Sequence, residues 1–113
     1  MTHYSQVGPT VFAQIKGGHK IIEPRINDTA HQRVRLGDLV IVTNRHTHEE
    51  LVAKVVGILR YATFDELFAA FPPRYFGSQH ITTIKKQVSQ WYPDPMQRAH
   101  GVLGIKLHVL SRG

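Results

Sequence analysis

Apolar residues recur along this chain in two rhythms, one helical and one alternating, and the switches between them mark its elements. Val11, Phe12 and Ile15 keep helical spacing, with Pro9 just ahead and Gly17-Gly18 just behind. Proline is tolerated in a first turn and glycine takes the left-handed conformation that ends helices, so the spacing predicts a short first helix over 10–16. Ile21 and Ile22 then open a short extended run to Arg25, and Asn27-Asp28-Thr29 supplies turn chemistry. Leu39-Val40-Ile41-Val42 is apolar on both faces and predicts a central strand. A polar connection through His46, Thr47, His48, Glu49 and Glu50 leads into a second, long strand over 51–61. Thr63 and Glu66 have the spacing of a capping box, which starts a second helix at 63; Pro72-Pro73 stops it. Arg74-Tyr75-Phe76-Gly77-Ser78 reads as an exposed aromatic loop. A third helix over 82–91 has Ile81, Ile84, Val88 and Trp91 along one face, and Pro93 and Pro95 end it. Over 102–110, Leu103, Ile105, Leu107 and Val109 face one way and Lys106 and His108 the other, as in a half-buried closing strand. The order helix, strand, strand, strand, helix, helix, strand predicts an α+β fold. A small mixed β-barrel flanked by about three helices is how such strands avoid open edges.

Composition narrows this further. At 113 residues without a break in composition the chain is expected to be one domain, 1–113, with a single core. It has no cysteine, so disulfides and thiolate metal sites are excluded. No apolar run reaches the roughly 18 residues of a membrane span and the first residues do not look like a leader, so a cytoplasmic protein without membrane contact is expected. Fourteen Lys and Arg against eight Asp and Glu give a net charge of +6 and a pI near 10.0, which favours phosphorylated or polyanionic partners such as RNA. After Glu66 the one acidic residue is Asp94, against Arg74, Lys85, Lys86, Arg98, Lys106 and Arg112. No basic run exceeds two residues, so a solubilising role for the charge stays open beside a binding one.

The densest chemistry leaves the first helix. Lys20, Glu23 and Arg25 put an ammonium, a carboxylate and a guanidinium within six residues. In a regular strand Lys20 and Glu23 would face opposite ways; a bulge at Pro24, which cannot donate to a ladder, would shift the parity and let them share a pocket. The alternative is a surface ion pair of little energetic consequence. Arg25, Tyr75, Phe76 and Ser78 are candidates to grip a base or phosphate, and Phe76 is equally a candidate core residue. His46-x-His48 lies in a hairpin connection without further ligands, so no metal and no cofactor is expected. There is no Gly-x-Ser-x-Gly elbow for Ser-His-Asp catalysis.

Four motifs taken together resemble a known family. Gly18-x-Lys20-x-x-Glu23-x-Arg25, Gly37-Asp38 before an apolar strand, Tyr61-x-Thr63-Phe64-x-Glu66-Leu67, and Gly101-Val102-x-Gly104-Ile105 occur in the order of the ASCH domain of the PUA-like superfamily. The resemblance implies a small β-barrel flanked by helices, with a cleft for a nucleobase or RNA.

It also implies function. Some members bind RNA, in cases with ribonuclease activity; others, the small bacterial acetylcytidine amidohydrolases, remove acyl groups from the exocyclic amine of cytidine with a lysine, a threonine and a glutamate. Lys20 falls on that lysine, Glu23 on the position of the threonine, and Thr83 on the position of the glutamate. The three residue types are present with two exchanged. The expectation is therefore an amidohydrolase acting on an acylated pyrimidine nucleoside through Lys20, Glu23 and Thr83, with an RNA-binding module, or a ribonuclease, as the alternative.

Overall fold

In the computed structural model, which describes residues 1–29, 31–77 and 80–111, five strands form one sheet. They are β1 (Thr2–Val7), β2 (Ile22–Ile26), β3 (Leu39–Asn44), β4 (Glu50–Tyr61) and β5 (Val102–Ser111), in the order β1-β3-β4-β5-β2. β1 and β3 are parallel and the other pairs antiparallel. The two edge strands face a common cavity: His3 and Ser5 of β1 and Glu23 and Arg25 of β2 line the same space of about 260 Å³. The sheet is thus curled into a half-barrel, the α+β architecture expected. Register shifts on β4 at Val52/Ala53 and Val55/Gly57 add the local twist that such curling needs.

Four helices surround the sheet: α1 (Pro9–Lys16), α2 (Phe64–Ala70), α3 (Ile81–Trp91) and α4 (Asp94–His100). Each end follows from its residues. Pro9 opens α1; Thr63 Oγ1 accepts the Glu66 N–H at 3.3 Å to cap α2, while Glu66 Oε2 accepts from Ala62 N at 3.2 Å. α4 was not expected, because its seven residues carry no apolar stripe. A buried amide holds it instead: Gln97 Oε1 accepts from Phe64 N at 3.2 Å and Gln97 Nε2 donates to the Tyr92 carbonyl at 2.9 Å, tying α4 to the start of α2 and the end of α3. β1 was missed for a related reason, since alternate residues of this edge strand are solvated and its pairing with β3 spans the whole first helix.

Apolar side chains collect in two clusters. Phe12 and Ile15 of α1 pack on Val42, Leu51 and Ala53 inside the curl. Ile22, Ile26 and Val102 pack against Phe64, Leu67 and Phe68 of α2, Phe76, and Ile84 and Val88 of α3. α2 covers the outer face of β5, so Val102, Leu103, Gly104 and Ile105 are all buried and only the second half of that strand alternates as expected. Gly104 is there for contact: a Cβ on it would lie 2.9 Å from Leu67 and 3.0 Å from Ile22.

Candidate functional site

Lys20 owes its position to the way α1 ends. His19 N–H and Lys20 N–H both donate to the Gln14 carbonyl, at 2.9 and 3.1 Å, and Gly18 N–H donates to that of Ile15 at 3.0 Å. This is a Schellman turn with Gly18 at φ +77°, a value glycine takes without strain. The chain leaves it with Lys20 bridged to Phe76 and with Ile21 N–H on the Tyr75 carbonyl at 2.9 Å. Gln14 fixes the other side as well, its side-chain amide donating to the Gly77 carbonyl at 2.7 Å.

β2 begins only after this junction. Its residues pair with β5 in unbroken register, Pro24 opposite Gly104, so the expected bulge at Pro24 is absent. Proline is accommodated because β2 is the outermost strand of the sheet. The parity is broken earlier, at the irregular residues Lys20 and Ile21, and the result is the anticipated meeting of side chains. Glu23 Oε2 lies 3.0 Å from Lys20 Nζ, and Glu23 Oε1 lies 2.9 Å from an Nη of Arg25, its same-face neighbour two residues on. These groups are not waving in solvent: the side chains of Lys20, Glu23 and Arg25 are 14, 19 and 26 % exposed. The pairing is therefore of the partly buried kind, in which losing one partner strands the other charge.

The three residues line a cleft of about 510 Å³ that runs along the seam between the two apolar clusters. One wall is the end of β1 and the start of α1 (Gln6, Val7, Gly8, Val11); the other is α3 (Ile84, Gln87, Val88, Gln90, Trp91), with Arg45 from the β3–β4 turn at the rim. Glu23 is the one carboxylate among these lining residues, against Lys20, Arg25 and Arg45. An electropositive concavity in which apolar side chains alternate with amides and cations suits an anionic or polar aromatic ligand.

The remaining candidates separate. Thr83 is exposed on the first turn of α3 and is not among the lining residues; Gln87, one turn further on, is. Phe76 is buried, its ring edge-on to Phe68 at 4.8 Å, and shows an edge to the cleft. Tyr75 is half-buried in a 3-10 turn (Pro73–Tyr75), with the Arg74 guanidinium 5.2 Å above its ring. The segment is thus packed rather than an exposed loop, because its rings join the α2 cluster. Ser78 lies outside the described residues. His46 and His48 are exposed in the β3–β4 turn, where Asn44 Oδ1 accepts the His46 and Thr47 N–H groups at 2.9 and 3.3 Å. Among the described residues no helix is long and apolar enough to cross a membrane.

A family model of the ASCH domain matches residues 6–110. The chain belongs to the ASCH domain family. Its fold aligns with the crystal structure of the hypothetical protein PH0355 at TM-score 0.82 and 25% identity, covering 97% of this chain and 100% of that one. The NMR structure of a Pyrococcus furiosus protein aligns at TM-score 0.78 and 20% identity, covering 97% of this chain and 98% of that one. The crystal structure of ASCH from Zymomonas mobilis aligns at TM-score 0.65 and 13% identity, with 95% and 66% covered. No curated protein matches the chain in sequence.

Set in the fold, the four ASCH motifs divide by task. The first builds the cleft through Lys20, Glu23 and Arg25. The others are scaffold in this ASCH domain: Asp38 accepts from Arg35 N–H at 3.0 Å and pairs with His3 Nε2 at 2.7 Å, Thr63 and Glu66 cap α2, and Gly104 lets α2 and β2 close on β5. What sequence reasoning missed lies on the α3 wall. Trp91 keeps the spacing of the buried Ile84 and Val88 and was placed with them, yet it is 60% exposed and lines the cleft. The available signal was position: Trp91 sits on the last helical residue, just short of Pro93, where the helix overhangs the core.

Proposed function

We propose that this ASCH domain is an amidohydrolase that removes an acyl group from the exocyclic amine of a cytidine derivative bound in the cleft. The observation that carries the reading is the Glu23 carboxylate held between Lys20 and Arg25 on a concave wall. Each carboxylate oxygen offers two acceptor positions, so the two ion pairs leave Glu23 able to take a water as well. In the proposed reaction Glu23 accepts a proton from that water as its oxygen attacks the acyl carbonyl. The ammonium of Lys20, with Arg25 beside it, stabilises the oxyanion that forms. When the tetrahedral intermediate collapses, the carbon–nitrogen bond breaks and Glu23 returns the proton to the departing exocyclic amine, giving the free carboxylic acid and cytidine. Thr83 has no step in this scheme, because it stands outside the cleft lining. No cofactor or metal is required.

An ultraviolet assay on N4-acetylcytidine tests it. The wild type should release cytidine, and Lys20→Ala and Glu23→Gln should each lose most of the rate; either variant retaining the full rate refutes the mechanism.

The excess of cations over carboxylate in the cleft favours a second reading, retention of RNA without turnover. That reading requires RNA affinity that falls steeply with salt together with no deacylation.

A further inference from the structure

The proposed chemistry uses Lys20, Glu23 and Arg25 and leaves the α3 wall and the rim unused. The α3 wall presents an exposed indole, Trp91, and two exposed amides, Gln87 and Gln90, and the rim presents the Arg45 guanidinium. The broad face of an exposed indole is a platform on which a base can stack. Primary amides on the same helix, each with two donors and an acceptor, match the edge of a pyrimidine. Arg45 differs from the other cleft cations in one respect. Lys20 and Arg25 are both engaged by Glu23, whereas Arg45 has no carboxylate within ion-pair distance among the described residues. Its backbone is nevertheless fixed, the N–H donating to the Val7 carbonyl at 2.9 Å, and its guanidinium lies close over Gly8, where an added Cβ would be 3.9 Å from a terminal nitrogen. A guanidinium without a carboxylate partner, carried on a hydrogen-bonded backbone at the rim of an aromatic cleft, is suited to a phosphate.

We infer that Trp91 on the α3 wall and Arg45 at the rim together recognise a nucleotide, so that the ligand of this cleft is a phosphorylated cytidine, with its base on the Trp91 indole and its phosphate on Arg45, in preference to the free nucleoside. The inference rests on the proposed function only in placing a pyrimidine in the cleft. Free nucleotide and the nucleotides of single-stranded RNA share this chemistry, and the test separates them.

Trp91 is the single tryptophan of the chain, so its fluorescence reports directly on ligand at this wall. Titrations with cytidine 5′-monophosphate, cytidine and a short oligocytidylate are compared. Quenching by the monophosphate with an affinity about ten- to a hundredfold above that of cytidine is expected, the size of one or two charge-assisted hydrogen bonds. Arg45→Met should bring the two affinities together, and Lys54→Ala, on β4 away from the cleft, should keep them apart. The inference is overturned if saturating monophosphate leaves the fluorescence unchanged, if cytidine binds as well as its phosphate, or if Arg45→Met keeps the preference. An oligocytidylate binding far above the monophosphate, with a steep salt dependence, identifies RNA as the source; equal affinities identify the free nucleotide. These readouts need no turnover. Deacylation without a phosphate preference therefore sinks this inference alone, and a phosphate preference without deacylation sinks the hydrolase reading alone.

Discussion

A Cβ placed on Gly77 would stand 3.1 Å from Cδ of Lys20 and 2.8 Å from Oε1 of Gln14, so the bare backbone at Gly77 is the surface against which the lysine stem lies. Gly77 also has φ +91°, where any side chain is strained. Gly77→Ala should therefore act twice. Backbone strain should cost about 1–3 kcal/mol of stability, read as a lower unfolding midpoint. The displaced Lys20 ammonium should lower the deacylation rate in protein that is still folded. A variant with the stability loss but an undiminished rate would show that the stem position is immaterial.

Glu23→Gln keeps the shape of the side chain and removes its charge. With Lys20 3.0 Å away on one oxygen and Arg25 2.9 Å away on the other, the substitution leaves two partly buried cations without their acid and, in the proposed mechanism, the attacking water without its base. The deacylation rate should fall by roughly 10²–10⁴-fold, the range for a general base. Circular dichroism should show the fold intact, since Glu23 is not part of either apolar cluster.

Thr83 separates resemblance from geometry. The resemblance to acetylcytidine amidohydrolases implies a catalytic group there, and the fold puts an exposed hydroxyl on the first turn of α3. Thr83→Val should change the rate by less than about twofold and stability by no more than about 0.5 kcal/mol, as for most exposed positions. A large loss of rate would return the hydroxyl to the mechanism and displace the attacking water proposed above.

How far the sequence could be read depends on what each element rests on. α1, α2, α3, β3 and β4 announce themselves through apolar periodicity and caps, and all were expected within a residue or two of where they lie. β1 and α4 rest on contacts far away in sequence. Thr2–Val7 is ordered by pairing with Leu39–Asn44, and Asp94–His100 by a buried glutamine, neither of which leaves a hydrophobic rhythm. α4 does carry cap chemistry, with Asp94 and Pro95 at its start and Gly101 at its end, but two prolines so close behind α3 signal the end of that helix equally well.

At the site the same division holds. Lys20, Glu23 and Arg25 are close in sequence, and a local turn brings them together, although by the Schellman exit rather than by a bulge at Pro24. Arg45 at the rim and Gln87, Gln90 and Trp91 on the α3 wall come from a hairpin turn and a distant helix. No spacing rule connects those segments, and the periodicity of α3 misleads, because Trp91 continues the apolar stripe beyond the core that the stripe covers.

Gly104 tests the scaffold assignment of its motif. Its partners are the methyls of Leu67 and Ile22, both fully enclosed, so neither can swing away from an added methyl. Gly104→Ala should cost about 1–3 kcal/mol by overpacking, measured by urea unfolding. Any loss of activity should track loss of folded protein. A lowered rate in fully folded Gly104→Ala would mean that the β2–β5 spacing is transmitted to Glu23.

Asp38 links β1 to the turn before β3 and makes stability depend on pH. Its pKa is lowered from 3.8 to about 2, chiefly by the hydrogen bond with His3 and next by the Arg35 N–H. Because the folded value lies below the unfolded one, the carboxylate contributes fully above pH 3.8 and its contribution fades as pH falls toward about 2. Asp38→Asn, which keeps the shape and loses the charge, should be less stable than wild type at neutral pH. The two unfolding midpoints should converge as the pH approaches about 2, where protonated Asp38 resembles the amide. Parallel midpoints across that range would mean that the charge on Asp38 is incidental and that the β1–β3 ladder alone holds the edge strand.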